Sequence, residues 1–489
     1  MASMFTYPSS KESDDQAASV PGRARIRNDT TGPFEGQGPF GRRAANKQSG
    51  GVGWGQERHR VKFGLFYELQ LPRPWQVDSE LRRVQEALDQ VDLADTLGFD
   101  HVWAAEHHFL EEYSHSSAPE VFLAAASQRT RSIRLGHGVM LTLPSYNHPA
   151  RAAERIATLD LVSGGRVDFG TGQSASRIEL DGFGIGRDER HAMWLEAVEQ
   201  IANMLVLEPY PGFTGRYFSL PCRNVVPKPV QKPHPPLWMA CTNRESIRVA
   251  ARLGLGVLSF AFVDFDEARQ WVREYYSILS TECTPIGHSV NANVAMVSPF
   301  YCHPDPAVAQ ERAMEGAQFF QFALSYYYAF GRHVPGVSNL WEQFLQARPS
   351  LPKGQLGIGT PAMLRDYLYG FADAGVDEMI FLQPVGNNRH DHICEALRLF
   401  AREVMPEFKA AESERERLKA EALAAAVRQA LERREPLPAV ADGQLPVIEP
   451  FGSPVRKPPA ETSEGLRWQL EYTKRLEALT NATTASDGS

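Results

Sequence analysis

One pattern limits what this chain can fold into. Between residues 61 and about 410, short apolar runs alternate with amphipathic helical stretches, strand then helix, eight times over. The strand candidates are Val61–Tyr67, His101–His108, Ile133–Leu143, Arg166–Gly172, Leu237–Cys241, Val257–Val263, Ala292–Phe300 and Met379–Pro384. Helical periodicity follows at Leu81–Leu97, Pro119–Thr130, Pro149–Leu161, His191–Leu207, Glu245–Gly254, Glu267–Leu279, Pro361–Ala374 and His392–Glu403. Eight strand–helix units in about 350 residues are what an α/β fold of the (β/α)8 TIM-barrel type, with insertions, requires. A doubly wound open sheet would alternate in the same way, but no GxGxxG follows the first strand.

Composition separates this middle segment from two tails. Residues 1–60 are rich in Gly, Ser, Asn and Arg without apolar periodicity and are expected to form a disordered arm. Residues 61–410 are the barrel. Residues 411–489 are a C-terminal extension: a charged helix over Lys409–Glu435, a Pro-rich linker around Pro436–Pro459, and a short amphipathic helix over Leu466–Leu479. A net charge of −8 argues against a nucleic-acid partner, which selects a basic surface. The most apolar stretch, Leu253–Val263, is shorter than the roughly 20 residues of a spanning helix, so no membrane partner is expected. Five cysteines, odd in number and without a CxxC, read as reduced thiols of a cytoplasmic protein, not as disulfides or a zinc site.

Active sites of barrels lie at the C-terminal ends of the strands. The second strand runs into Glu106-His107-His108-Phe109, where strand alternation puts Glu106 and His108 on one face and His107 on the other. That geometry disfavours joint metal binding by the two histidines. It allows one of them to enter the mouth as an acid, base or hydrogen-bond donor with a carboxylate nearby. The fifth strand ends in Cys241-Thr242-Asn243 before a helix, so Thr242 or Asn243 caps that helix; the same amides and dipole suit a phosphate. The fourth strand leads into Gly170-Thr171-Gly172-Gln173-Ser174-Ala175-Ser176-Arg177, small residues that admit a flat ligand close to the backbone, with Arg177 as a possible anion partner. Gly316–Gly331 carries seven aromatic residues, which either bury into the core or a subunit interface, or roof an apolar substrate.

With these residues in order, the sequence resembles the bacterial luciferase-like flavin-dependent monooxygenases, especially their luciferase-subunit branch. The resemblance runs from Val61 to about Phe408 and rests on VKFGLFYE, GFDHVWAAEHHF, HPARAAERIATLDLVSGGRVDFGTG, PPLWMACTNRESIRVAARLGLG and IGTPAMLRDYLYGFADAGVDEMIFLQP. It implies a barrel that binds reduced FMN (FMNH2) delivered by a separate flavin reductase, reacts it with O2, and uses the C4a-peroxide on a small organic substrate. It also implies that His107 is the catalytic histidine, that Thr242, Asn243 and Ser246 bind the flavin phosphate, and that Val139 and Met140 contact the flavin. The sequence departs from the family at three positions. Gly172 and Gln173 stand where luciferase subunits carry a reactive cysteine and a phosphate-binding arginine, and Thr242 stands where they carry a glutamate. Gln173 can still donate to a phosphate but brings no charge.

The expected function is therefore an FMNH2- and O2-dependent monooxygenase, a homodimer, acting on an apolar or aromatic small molecule. An F420-dependent oxidoreductase on the same barrel is the alternative. A metal-dependent hydrolase using His101, His107 and His108, or a non-catalytic flavin-binding barrel, would be the readings from other classes.

Overall fold

Phe63, Leu65 and Tyr67 alternate with Gly64 and Phe66 along the first strand, and this period of two decides the architecture: one set of side chains meets the helices, the other fills a barrel. The computed structural model describes residues 61–348, 356–410, 412–441, 443–450 and 463–486; the N-terminal arm expected over 1–60 and part of the expected Pro-rich linker lie outside these. Eight strands form the barrel: β1 (Lys62–Tyr67), β2 (His101–Ala104), β3 (Arg134–His137), β4 (Val167–Gly172), β5 (Leu237–Cys241), β6 (Gly256–Phe260), β7 (Val294–Ser298) and β8 (Glu378–Leu382). Every neighbouring pair is parallel. The ring closes where β1 meets β8, from Lys62↔Glu378 to Phe66↔Leu382, and β3 meets β4 at Leu135↔Val167 and Gly136↔Asp168. The fold is a closed TIM barrel.

Helices α1 (Ser79–Leu97), α2 (Pro119–Arg129), α3 (Pro149–Ser163), α4 (Arg190–Val206), α5 (Arg244–Arg252), α6 (Phe265–Glu282), α7 (Pro361–Ala374) and α8 (His390–Glu403) surround it. Outward residues such as Leu135, Phe169, Met239, Val257, Met296 and Phe381 join the helices in one core. Inward residues Phe66, Trp103, Trp238, Leu258, Val297 and Ile380 form a second. Trp103 and Trp238 meet edge to face at 5.2 Å inside the ring. They fit only because the facing positions lack a Cβ: one on Gly136 would lie 2.1 Å from Trp103, and one on Gly256 2.5 Å from Trp238.

All eight expected strands are present, but their ends differ. β2 stops at Ala104, so Ala105–His108 form a loop instead of continuing the strand. The expected Ile133–Leu143 strand breaks after His137, and only Met140–Leu141 resumes the ladder beside β4. Helix Glu412–Arg433 lies against α6 and the N-terminal ends of the strands: Lys419 Nζ reaches Asp377 at 2.8 Å and Asn293 at 2.6 Å, and Arg415 reaches Asp377 at 2.7 Å. Described residues from Val440 onward form a separate unit. In it, the expected Leu466–Leu479 helix lies within a longer one, Glu464–Ser486, with Trp468 and Tyr472 stacked at 5.1 Å. Among the described residues, no helix is long and apolar enough to cross a membrane.

Candidate active site

The loop after β2 is held open by two backbone bonds, Gly138 N to Ala104 O at 2.7 Å and Glu106 N to Val139 O at 3.1 Å. It delivers His107 between two carboxylates. Nδ1 lies 3.0 Å from Glu179 Oε1, and Nε2 lies 3.5 Å from Glu68 Oε2. Glu68 follows β1 directly, and Glu179 sits on the short helix Arg177–Gly182 that follows β4. Glu179 is heavily engaged: it also accepts from His108 N at 2.9 Å and Ser174 Oγ at 2.5 Å. Glu68 Oε1 accepts from Tyr113 Oη at 3.1 Å, whereas Oε2 has no hydrogen-bond partner among the described residues. Both glutamates are buried, while His107 keeps 15% of its side chain exposed toward the mouth.

Burial acts most strongly on His107 and would lower its pKa, but Glu68 and then Glu179 outweigh it and raise the imidazole to about 9. Burial pushes Glu68 up from the usual carboxylate range. On Glu179 burial acts the same way, but the imidazole and its other donors prevail and hold it down. Backbone strain gathers around the same group. Three of the four non-glycine residues with positive φ among the described residues are Leu69 (52°), next to Glu68; Phe109 (65°), past the histidine pair; and Ser174 (56°), which binds Glu179.

His108 turns elsewhere. Its Nε2 meets Glu106 Oε1 at 3.1 Å, and Glu106 is fixed by Leu141 N at 2.7 Å and Asn147 Nδ2 at 3.0 Å. The expected separation of His107 from Glu106 and His108 therefore holds, although a loop and not a strand produces it. His101 lies at the start of β2, at the opposite end of the barrel, between Glu378 and Asp168. The three histidines of the hydrolase reading do not converge, and no group of three metal-ligating side chains is present among the described residues.

The remaining expected residues follow the C-terminal ends of β3, β4 and β5 in turn. Val139 is half-buried and packs with the inner core, while the Met140 side chain turns into the outer core and its backbone stands opposite Thr171 in the ladder. A Cβ on Gly172 would lie 2.4 Å from Val139 Cγ2, so this site has no room for the reactive thiol of luciferases. Gln173 Nε2 sits 3.1 Å from His191 Nδ1. Thr242, Asn243 and Ser246 come together as a capping box. Asn243 Oδ1 accepts from Ser246 N at 2.9 Å, and Ser246 Oγ accepts from Thr242 N at 3.1 Å and Asn243 N at 3.2 Å. Capping thus consumes three of the amides, and the amides of Arg244 and Glu245 are the remaining first-turn donors. Arg177 pairs with Asp181 in solvent; Arg190 is the nearby cation that reaches the loop, through Ser174 O at 2.8 Å.

The aromatic segment closes the mouth. Helix Pro306–Ser325 and the π-helical turn Tyr326–Phe330 bring Phe320 to 5.6 Å from Tyr113 and Tyr328 to 6.5 Å from it, while Tyr113 stands 5.5 Å from His107 edge to face. Phe260 links Phe320 to Phe66 inside the barrel. The core alternative holds for Phe319, Phe320, Tyr326 and Tyr327, which are buried, while Tyr328 is half-buried.

Sequence reasoning missed Glu68, Tyr113 and Glu179, and placed Ser174 in a ligand loop without its bond to Glu179. Glu68 carried a usable signal, because it stands at the C-terminal end of β1 in the same position that singled out the histidines after β2. Glu179 carried none: a six-residue helix had to form and turn inward first.

A barrel whose mouth joins a clamped histidine, an aromatic roof and a glycine-rich loop is an enzyme scaffold. The luciferase-like monooxygenase family profile matches residues 61–378, and the chain belongs to that family, one of oxidoreductases. It is 24% identical over 368 residues to the oxygenase component of the flavin-dependent trigonelline monooxygenase of Acinetobacter baylyi, covering 73% of this chain and 98% of the relative. It is 32% identical over 185 residues to an F420-dependent hydroxymycolic acid dehydrogenase of Mycobacterium tuberculosis, covering 37% and 53%. The crystal structure of monooxygenase RslO1 from Streptomyces bottropensis superposes with a TM-score of 0.59 at 27% identity, covering 71% of this chain and all of that one. Two uncharacterized Sinorhizobium fredii relatives are matched over only 56% and 62% of their own length.

Proposed function

We propose that the protein is the oxygenase of a two-component system, an FMNH2- and O2-dependent monooxygenase acting on a small apolar or aromatic molecule. The observation that carries this reading is His107, clamped between Glu68 and Glu179 under the aromatic roof at the mouth of the barrel.

The residues present fit a flavin. Phe66, Tyr113, Phe260 and Tyr328 offer apolar walls to a planar ring. Ser176 Oγ, fully buried in the loop after β4, has no partner among the described residues and suits a polar edge of the ligand. Val139, the Met140 backbone and Gln173 border the ring side. Thr242, Asn243 and Ser246, with the free amides of α5 and with Arg190 for charge, would hold the phosphate. When bound, reduced flavin supplies two electrons and the capacity to activate O2. The chain's own part is to exclude water with the aromatic roof, to orient the substrate against it, and to donate a proton from His107.

A separate reductase would supply FMNH2, as the resemblance to an oxygenase component supports. Exposed Val121, Leu161 and Val162 on α2 and α3 give a homodimer an apolar face, and free thiols suit the cytoplasm. The relative that uses F420 supports a competing reading, hydride transfer without O2.

Stopped-flow absorbance separates the two. Protein mixed with FMNH2 and then 18O2 is expected to change the course of flavin reoxidation and to place 18O in a product from an aromatic substrate panel. Tight binding of reduced F420 with O2-independent reduction, and FMNH2 behaving as it does free in solution, would overturn the proposal.

A further inference from the structure

The two carboxylates beside His107 are not equivalent. Glu179 uses both oxygens, accepting at Oε1 from His107 Nδ1 and His108 N and at Oε2 from Ser174 Oγ, and these three donors favour its ionised form. Glu68 uses only Oε1, on Tyr113; Oε2 is buried, unpartnered, and 3.5 Å from His107 Nε2. Closing that gap to an ordinary N–H···O separation needs a shift of about 0.5 Å. A buried carboxylate oxygen left without a donor is costly, and among the described residues the N–H on His107 Nε2 stands 3.5 Å from it, a donor within reach.

We infer that Glu68 is the proton partner of His107: one exchangeable proton is shared between Glu68 Oε2 and His107 Nε2, and Glu179 is the fixed counter-ion on the other side of the ring. Glu68 is thus a positioning residue that acts through His107. The balance is simple. With the proton on Nε2 the ring is an imidazolium facing Glu68 carboxylate; with the proton on Oε2 the ring is neutral, with its remaining hydrogen on Nδ1, and Glu68 is a carboxylic acid. Neither state changes the net charge of the pair, so a proton can be kept between the two side chains and handed to an acceptor oxygen in the mouth. The directions of the titrations agree, since burial raises Glu68 while its donors hold Glu179 down.

Other groups facing the pair are Glu106 and Tyr113 from the loops after β2, Tyr146 from the loop before α3, and Tyr328 from the roof. The tyrosines have raised pKa values and stay neutral, because burial opposes their ionisation. They therefore set the field without titrating in the range that matters.

The inference rests on the placement of His107 in the mouth, yet its test needs no flavin and so fails or succeeds apart from the monooxygenase reading. In the full-length protein with 13C- and 15N-labelled histidine, His107 is expected to carry both ring protons at pH 7.5 and to titrate near 9. Glu68→Gln is expected to lower that midpoint by about one pH unit or more, and Glu68→Asp to restore part of the shift, with the thermal midpoint near that of the parent. Should Glu68→Gln fail to fold, Tyr113→Phe replaces it. Loss of the donor to Oε1 moves the proton toward Glu68, so His107 shows a neutral ring with hydrogen on Nδ1 at pH 7.5. A His107 titration unmoved in Glu68→Gln, or in Tyr113→Phe where that variant replaces it, overturns the inference.

Discussion

His101 and His107 are six residues apart in sequence, at the two ends of one strand and its loop, and each lies between two buried carboxylates. Each is raised to about 9 by those carboxylates against the pull of burial. Their surroundings differ. At the lower end, Glu378 accepts Trp103 Nε1 at 3.0 Å, and Asp168 accepts Trp238 Nε1 at 2.9 Å and Arg134 Nε at 2.5 Å, all from rigid strands. The small cavity there, about 140 Å³, is lined by Lys62, Arg134, Asn291, Asn293 and Asp377, and helix Glu412–Arg433 reaches the last two. At the upper end the donors come from loops with positive φ, one carboxylate oxygen is unpartnered, and the walls are aromatic. A shifted histidine therefore does not mark an active site by itself; on the proposed function, what sets the His107 cluster apart is an incompletely satisfied partner at the C-terminal end of a barrel strand.

The largest expected effects separate the two clusters in opposite directions. His107→Ala should lower the rate of the oxygenation step per folded molecule by about 10²–10⁴. His101→Ala should leave the rate per folded molecule unchanged but cost about 3–5 kcal/mol in denaturant unfolding, because Asp168 and Glu378 lose a buried counter-charge. A His101→Ala protein as stable as the parent would remove the contrast.

The dependence on pH comes next. Both histidines have folded pKa values raised from 6.5 to about 9, so their stabilisation is complete below pH 6.5 and is lost as pH rises through about 9. Asp168, lowered from 3.8 to about 2, contributes above pH 3.8 and loses its contribution as pH falls through about 2. Melting temperatures recorded from pH 6 to 10 should fall on the alkaline side, and less so in His101→Gln.

Smaller effects test the flavin side of the mouth. Gly172→Cys drives a Cβ against Val139 and should destabilise by about 1–3 kcal/mol in denaturant melts, without creating a thiol that supports the reaction. Ser246→Ala removes half of the capping box and should cost about 1 kcal/mol by the same measurement.

How far the sequence alone could be read follows the same division. The eight strands were legible because inward and outward residues alternate along each of them, from Phe63 to Phe381. The histidine pair, Gln173 and Thr242 drew attention because each ends or follows a strand, whereas Val139 and the choice of His107 over His108 came from the family resemblance alone. Glu179 and Tyr113 were not, since a short helix and an irregular loop carry them inward and neither has a period to detect. Strand ends were overextended at His101–His108 for a physical reason: the Glu106 carboxylate binds Leu141 N and Asn147, interactions distant in sequence that pull the chain out of the ladder.

The most direct test of the account is the stopped-flow course of FMNH2 oxidation by O2 in the parent, His107→Ala and His101→Gln, at pH 7.5 and equal folded concentration. The account predicts that His107→Ala alone departs from the parent. A His107→Ala trace that overlays the parent's, or a His101→Gln trace that departs as far, would contradict it.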